Sequence, residues 1–173
     1  MRLRLERSAC LGLKAVLAVS GVALLAYAAG EPRNAAAAGP FSQLSGNWSG
    51  SGMIRMASGA NERLRCRVRY GVKGDGNDLN LDLRCASDSY RFDLTGQFQH
   101  RGGSVSGNWA ESSRGVGGRV AGRASGNTIQ ALAESNAFSA NLVLNTRGNQ
   151  QSVSITTPGS DVREISVTLR KGN

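Results

Sequence analysis

Two cysteines, one histidine and a run of alternating arginines are the residues here whose types and spacing could do chemistry. Cys66 and Cys85 could form a disulfide, bind a metal or supply a thiolate nucleophile. His100, the single histidine, lies beside Arg101-Gly102-Gly103, with no cysteine or carboxylate at ligand spacing, so it reads as no zinc site. No Gly-x-Ser-x-Gly elbow or other local nucleophile signature is present. A Ser-His-Asp triad assembled from distant positions stays open. Ser87-Asp88-Ser89 reads more simply as a turn, and no phosphate-binding glycine loop precedes a helix. The expectation is a protein without catalytic residues, cofactor or metal. Arg63, Arg65, Arg67 and Arg69 project to one side of any regular strand and would form a basic stripe.

The N-terminus bears on the cysteines. Residues 15–29 are apolar and follow Arg2, Arg4, Arg7 and Lys14, the layout of a secretory signal peptide. The run falls short of the ~20 residues of a spanning helix, so the reading is cleavage. Cleavage could follow Ala26-Tyr27-Ala28 or Ala36-Ala37-Ala38. The division expected is a leader over 1–38 and one domain over 39–173, periplasmic or secreted. Cys10 precedes the apolar run and would leave with the leader. Export makes a Cys66–Cys85 disulfide the expected use of the remaining pair. The leader carries five basic and two acidic residues, so the domain keeps +6 of the formal charge of +9. Fourteen of its sixteen basic residues are arginine, whose planar fork suits carboxylate and phosphate.

Residues 39–173 predict an all-β fold. Helical periodicity is absent and apolar alternation is frequent. Leu64, Cys66, Val68 and Tyr70 share one face against the four arginines. Leu79, Leu81, Leu83 and Cys85 share another, as do Tyr90, Phe92 and Leu94, then Phe138, Ala140, Leu142 and Leu144, then Ile165, Val167 and Leu169. Nine turn signals punctuate these runs, from Gly59-Ala60-Asn61 to Pro158-Gly159. Links so short join antiparallel strands. An up-and-down meander of about 8–10 strands follows, closed or nearly closed because closure removes exposed edges. A two-residue turn at Asp75-Gly76 would place Cys66 opposite Cys85 and Asp82 opposite Arg69. Glycines within the runs, such as Gly50, Gly52, Gly107, Gly118 and Gly122, mark bends. The barrel expected is mostly filled, with Trp48 and Trp109 buried.

Ser-Gly-Asn-Trp occurs twice, at 45–48 and 106–109. Leu44-Ser45-Gly46-Asn47-Trp48 resembles the Gly-x-Trp of the first lipocalin strand and the Leu-x-Gly-x-Trp of avidin-like proteins, together the calycins. That resemblance implies an antiparallel barrel that holds a small molecule or acts as an inhibitor. Lipocalins set an arginine from the last strand against the first-strand Trp; here Lys171 has the inward parity and Arg170 the outward. Arg65-Cys66-Arg67 with Cys85-Ala86-Ser87-Asp88-Ser89-Tyr90 also resembles a pattern in small exported alphaproteobacterial proteins of unassigned function.

Two functional classes emerge. One is a binding barrel for a small apolar ligand, with Trp48, Trp109, Tyr70, Tyr90 and Phe92 as candidate lining. The other is a surface-binding module or inhibitor that presents Arg63, Arg65, Arg67 and Arg69, extended by Arg84 and Arg91, to an anionic envelope component. Export argues against a nucleic-acid partner. Scattered aromatics and polar outward faces argue against an outer-membrane barrel.

Overall fold

The computed structural model describes residues 38–172, so the leader reading and Cys10 lie outside the described residues, Ala38 apart. Ten strands follow one another: β1 (Gly46–Met56), β2 (Asn61–Lys73), β3 (Asp78–Ala86), β4 (Arg91–Arg101) and β5 (Ser104–Glu111), then β6 (Val116–Ser125), β7 (Thr128–Ser135), β8 (Ser139–Arg147), β9 (Gln150–Thr156) and β10 (Val162–Lys171). Each pairs antiparallel with its sequence neighbours, and β1 also pairs with β10. The meander is therefore a closed up-and-down barrel.

The β2–β3 hairpin follows the sequence expectation residue by residue. Asn77 N–H donates to the Gly74 carbonyl at 3.0 Å, closing a turn in which Asp75 and Gly76 both have positive φ, at 54° and 89°. An Asp-Gly pair tolerates these values, and they match the twist of the strands. The register then sets Cys66 opposite Cys85, Arg67 opposite Arg84, and Arg69 opposite Asp82. Cys66 and Cys85 form a disulfide with Cα atoms 4.1 Å apart.

Inward glycines let the strands coil. A Cβ on Gly118 would lie 1.8 Å from the Glu134 carbonyl oxygen, and one on Gly52 1.9 Å from that of Ser166. Both obstacles are neighbouring-strand backbone, which cannot step aside as a side chain could. Glycine at these positions is thus a condition of the barrel's curvature.

One end of the barrel is plugged. Residues 39–44 fold across it, with a single 3-10 turn at Ser42–Leu44. Gly39 N–H donates to the Asp75 carbonyl and Phe41 N–H to that of Gly76, at 2.8 and 3.0 Å. These bonds lay Phe41 and Leu44 into the barrel, each about 1% exposed. Trp48 rises beneath them, with Tyr70, Leu79, Val105 and Leu169. A polar chain crosses the same layer: the Tyr70 hydroxyl donates to Gln151 Oε1 at 2.7 Å, and Gln151 Nε2 donates to Thr146 Oγ1 at 3.0 Å. All three residues are buried, so their mutual hydrogen bonds offset much of the desolvation cost.

The interior is less filled than expected. Leu81, Leu83, Leu142, Leu144, Val153 and Ile155 point inward yet remain half-buried. Two causes act together. Ten strands enclose a wider bore than eight. The β5–β8 wall is lined by small inward residues such as Gly107, Gly118, Gly122, Ala133 and Ala140, which leave volume unclaimed.

Candidate functional site

The end opposite the plug is framed by the longer loops, residues 57–60, 87–90, 112–115, 136–138 and 157–161. The five aromatic residues singled out from sequence divide between the two ends. Trp48 and Tyr70 meet edge to face at 6.2 Å beneath the plug. Trp109, Tyr90 and Phe92 lie toward the other end. The repeated tetrapeptide explains the split, since Trp48 begins β1 while Trp109 ends β5, and the two strands run the same way.

Trp109 sits between two glycines, with Gly96 opposite on β4 and Gly118 opposite on β6. Its ring packs with Val120, Ala133 and Ala140. Phe138, grouped by parity with the apolar face of Ala140, Leu142 and Leu144, instead precedes β8 and tilts over the indole at 5.8 Å while staying exposed. The indole is 8% exposed, yet its Nε1–H meets no acceptor. A buried donor without a partner costs roughly 1–3 kcal/mol, so an acceptor arriving there would be favoured. Among the described residues it is the one buried side-chain polar atom left in this state.

Tyr90 and Phe92 stack almost parallel, with centroids 6.3 Å apart. The Arg114 guanidinium lies 5.0 Å above the Phe92 ring, and its Nη1 donates to the Arg91 carbonyl. The neighbouring loop is tied down by Glu62, which accepts from the Ser87 hydroxyl at 2.7 Å and the Ser89 N–H at 3.1 Å. Ser87-Asp88-Ser89 is thus a fastened turn.

Glu111 was not singled out in the sequence, although it holds the rim. Its carboxylate is buried and accepts from the backbone N–H groups of Asp93, Ser113 and Arg114 at 2.9–3.1 Å, and from the Ser113 hydroxyl. Burial pushes its pKa up, but these donors together outweigh that push and hold it below the usual carboxylate range. A depressed folded pKa adds stability that is complete above the unfolded value, about 4.3, and is lost as pH falls through the folded one. Glu111→Gln should therefore cost about 1–2 kcal/mol at pH 7, with a deficit that shrinks in acid. Thermal melts of both proteins from pH 7 to pH 3 check this; a constant gap would refute it.

His100 belongs to the plugged end. Its Nδ1 lies 2.9 Å from Asn77 Oδ1, and its ring meets Phe41 edge-on at 6.5 Å. Lys171 sets its ammonium 5.8 Å from the centre of the Trp48 ring and donates to the Gln43 carbonyl at 3.4 Å. It thus occupies the place where the calycin resemblance leads one to look for an arginine.

With the closed meander, the Gly46-Asn47-Trp48 strand and the Lys171 contact in view, comparison with solved structures gives the deciding observation. The chain superposes on Rv2717c from M. tuberculosis with a TM-score of 0.62 at 16% identity, covering 76% of this chain and 94% of the other. It superposes on the S-type phycobiliprotein lyase CPES from Guillardia theta with a TM-score of 0.57 at 8% identity, covering 77% and 90%. Both share the fold of this closed antiparallel barrel. At these identities the likeness concerns architecture alone. No family model matches the chain, and no curated protein matches it, so nothing there supports the resemblance to the alphaproteobacterial proteins.

The outer wall carries the second candidate site. Arg63, Arg65, Arg67 and Arg69 are all exposed. Among the described residues none of them forms an ion pair. Asp82, opposite Arg69 in the register, instead lies 3.9 Å from Arg84, which also approaches Asp93 at 3.8 Å. Arg91 binds Asp93 at 2.9 Å. Among the described residues no helix is long and apolar enough to cross a membrane.

Proposed function

We propose that this protein is an exported, non-enzymatic binding barrel that takes a small, largely apolar molecule through the end opposite the plug. The observation that carries the reading is the buried, unpartnered Nε1–H of Trp109 beside an inner wall that keeps accessible surface. Apolar wall and a single placed donor are the usual ingredients of a small-molecule site, in which one polar contact fixes orientation. Leu94, Leu142 and Ile155 supply the apolar surface near the indole, and Phe138 covers it. Tyr90, Phe92 and Arg114 form the rim. The disulfide, with the signal-like N-terminus, supports a periplasmic or secreted location. The ligand on this reading carries one hydrogen-bond acceptor on an otherwise apolar body.

Nile red, neutral and bearing a ring carbonyl, is a suitable probe. Its fluorescence should rise saturably on titration with the native protein. Trp109→Phe keeps the aromatic bulk and removes the donor, so it should weaken binding about fivefold, the worth of one hydrogen bond near 1 kcal/mol. Leu142→Trp, which fills the bore, should abolish the signal in a protein that still melts cooperatively. Absence of saturable binding, or equal binding by all three proteins, would overturn the reading.

A further inference from the structure

The outer wall of β1, β2 and β3 carries a shallow groove of about 290 Å³. Arg67, Arg69 and Arg84 border it, Asn47 and Ser49 form part of its floor, and Asp82 is its one acidic group. Its shape follows from the register. Asn47 and Ser49 are short and lie directly opposite Arg69 and Arg67, so long side chains rise on one side of small ones. On the other side of Ser49 stands Arg170 of β10.

The electrostatics of this groove are unusual for a solvated face. Arg67 and Arg84 are direct cross-strand partners, an arrangement that repels. Arg84 has two carboxylates near it, at 3.8 and 3.9 Å, but among the described residues Arg67 and Arg69 have none within ion-pair distance. An anion between the guanidinium groups would relieve that repulsion. Arginine forks bind the two oxygens of a carboxylate or sulfate in parallel, which a scattered set of lysines would not do.

A second groove borders the same face of β1. Ser51, two residues along β1, borders a trough of about 280 Å³ over β10, β9 and β8, where the hydroxyl and amide groups of Thr168, Ser152 and Asn145 stand beside one exposed apolar side chain, Val143. The register brings these four residues into one row, Asn145–Ser152–Thr168–Ser51, that ends on Arg65. With strands ~4.8 Å apart, the row from β8 to β1 offers ~14 Å of hydroxyl and amide surface leading to the arginines of β2 and β3. No aromatic side chain stands along it, whereas insertion into a lipid interface relies on aromatic and bulky apolar groups. Hydroxyl partners beside anion-binding forks match a sugar polymer bearing acidic groups.

We propose that this outer wall binds an anionic polysaccharide, whose sulfate or carboxylate groups sit between Arg67, Arg69 and Arg84 and whose hydroxyls meet Asn47, Ser49 and the trough beyond. The site is separate from the barrel interior and independent of what the interior holds.

The test uses immobilised heparin and a salt gradient. Arg67→Gln/Arg69→Gln is compared with Arg119→Gln/Arg123→Gln, a pair of exposed outward arginines on β6 that removes the same charge from another wall. Both should melt as the native protein does. The first variant should elute at clearly lower salt, and the second close to the native position. In solution a short heparin fragment should bind the first variant roughly tenfold more weakly, the loss of two exposed charge contacts of about 0.7 kcal/mol each. Nile red binding should be unchanged in both. Equal shifts for the two variants would reduce the effect to net charge and overturn the proposal. So would no shift in either, or binding to vesicles containing phosphatidylglycerol without binding to the soluble fragment.

Discussion

Trp48→Ala should be among the most damaging single substitutions in the domain, costing about 3–5 kcal/mol. The indole is 2% exposed and carries three specific contacts besides its area. Its Nε1–H donates to the Leu44 carbonyl at 2.6 Å, its edge meets Tyr70, and the Lys171 ammonium faces its ring. Removing it leaves a cavity, an unpaired carbonyl and a loosened plug at the same time. The plug depends on it because Leu44 ends the 3-10 turn that lays Phe41 into the barrel. The urea midpoint should fall accordingly. Trp48→Phe should fall between the native protein and the alanine variant, since it keeps part of the area and the edge contact but not the hydrogen bond. Equal stability of Trp48→Ala and the native chain would mean that the plug is not part of the cooperative fold.

Parity and turn chemistry carried most of the architecture. Asp75-Gly76 fixes the β2–β3 register because a two-residue turn with positive φ at both positions joins those strands without a bulge, and that register sets Cys66 against Cys85. The inward glycines read as bends because nothing larger fits against the opposing carbonyls. The rest depended on contacts with no local signature. Gln151 meets Tyr70 across 81 positions of sequence, so its pairing is legible only once the barrel has closed. Phe41 and Leu44 precede the first strand, and nothing in their spacing says that they fold back over its end. Glu111 looks like any surface carboxylate until Asp93, Ser113 and Arg114 converge on it. Trp109 and Trp48 share one tetrapeptide, yet only the structure shows that one donor is met and the other is not. The arginine stripe was legible as a face, whereas the groove beside it required the register of β1 with both of its neighbours.

The disulfide should be worth about 3 kcal/mol, the loop-closure value for a crosslink spanning 19 positions. The hairpin it crosses is already closed by a tight turn, so the bond restrains the unfolded chain while leaving the folded register to the turn and the ladder. Cys66→Ala/Cys85→Ala should therefore keep the barrel's circular dichroism and lower its stability to urea. Each substitution also removes a buried side chain at 4% and 7% exposure, which adds a small cavity cost. Reducing the native protein separates the two effects, because reduction opens the bond without deleting atoms. Peptide mapping without reductant should recover residues 66 and 85 in one linked species from protein collected outside the cytosol. Two free thiols at these positions in exported protein, or no loss of stability on reduction, would count against the bond.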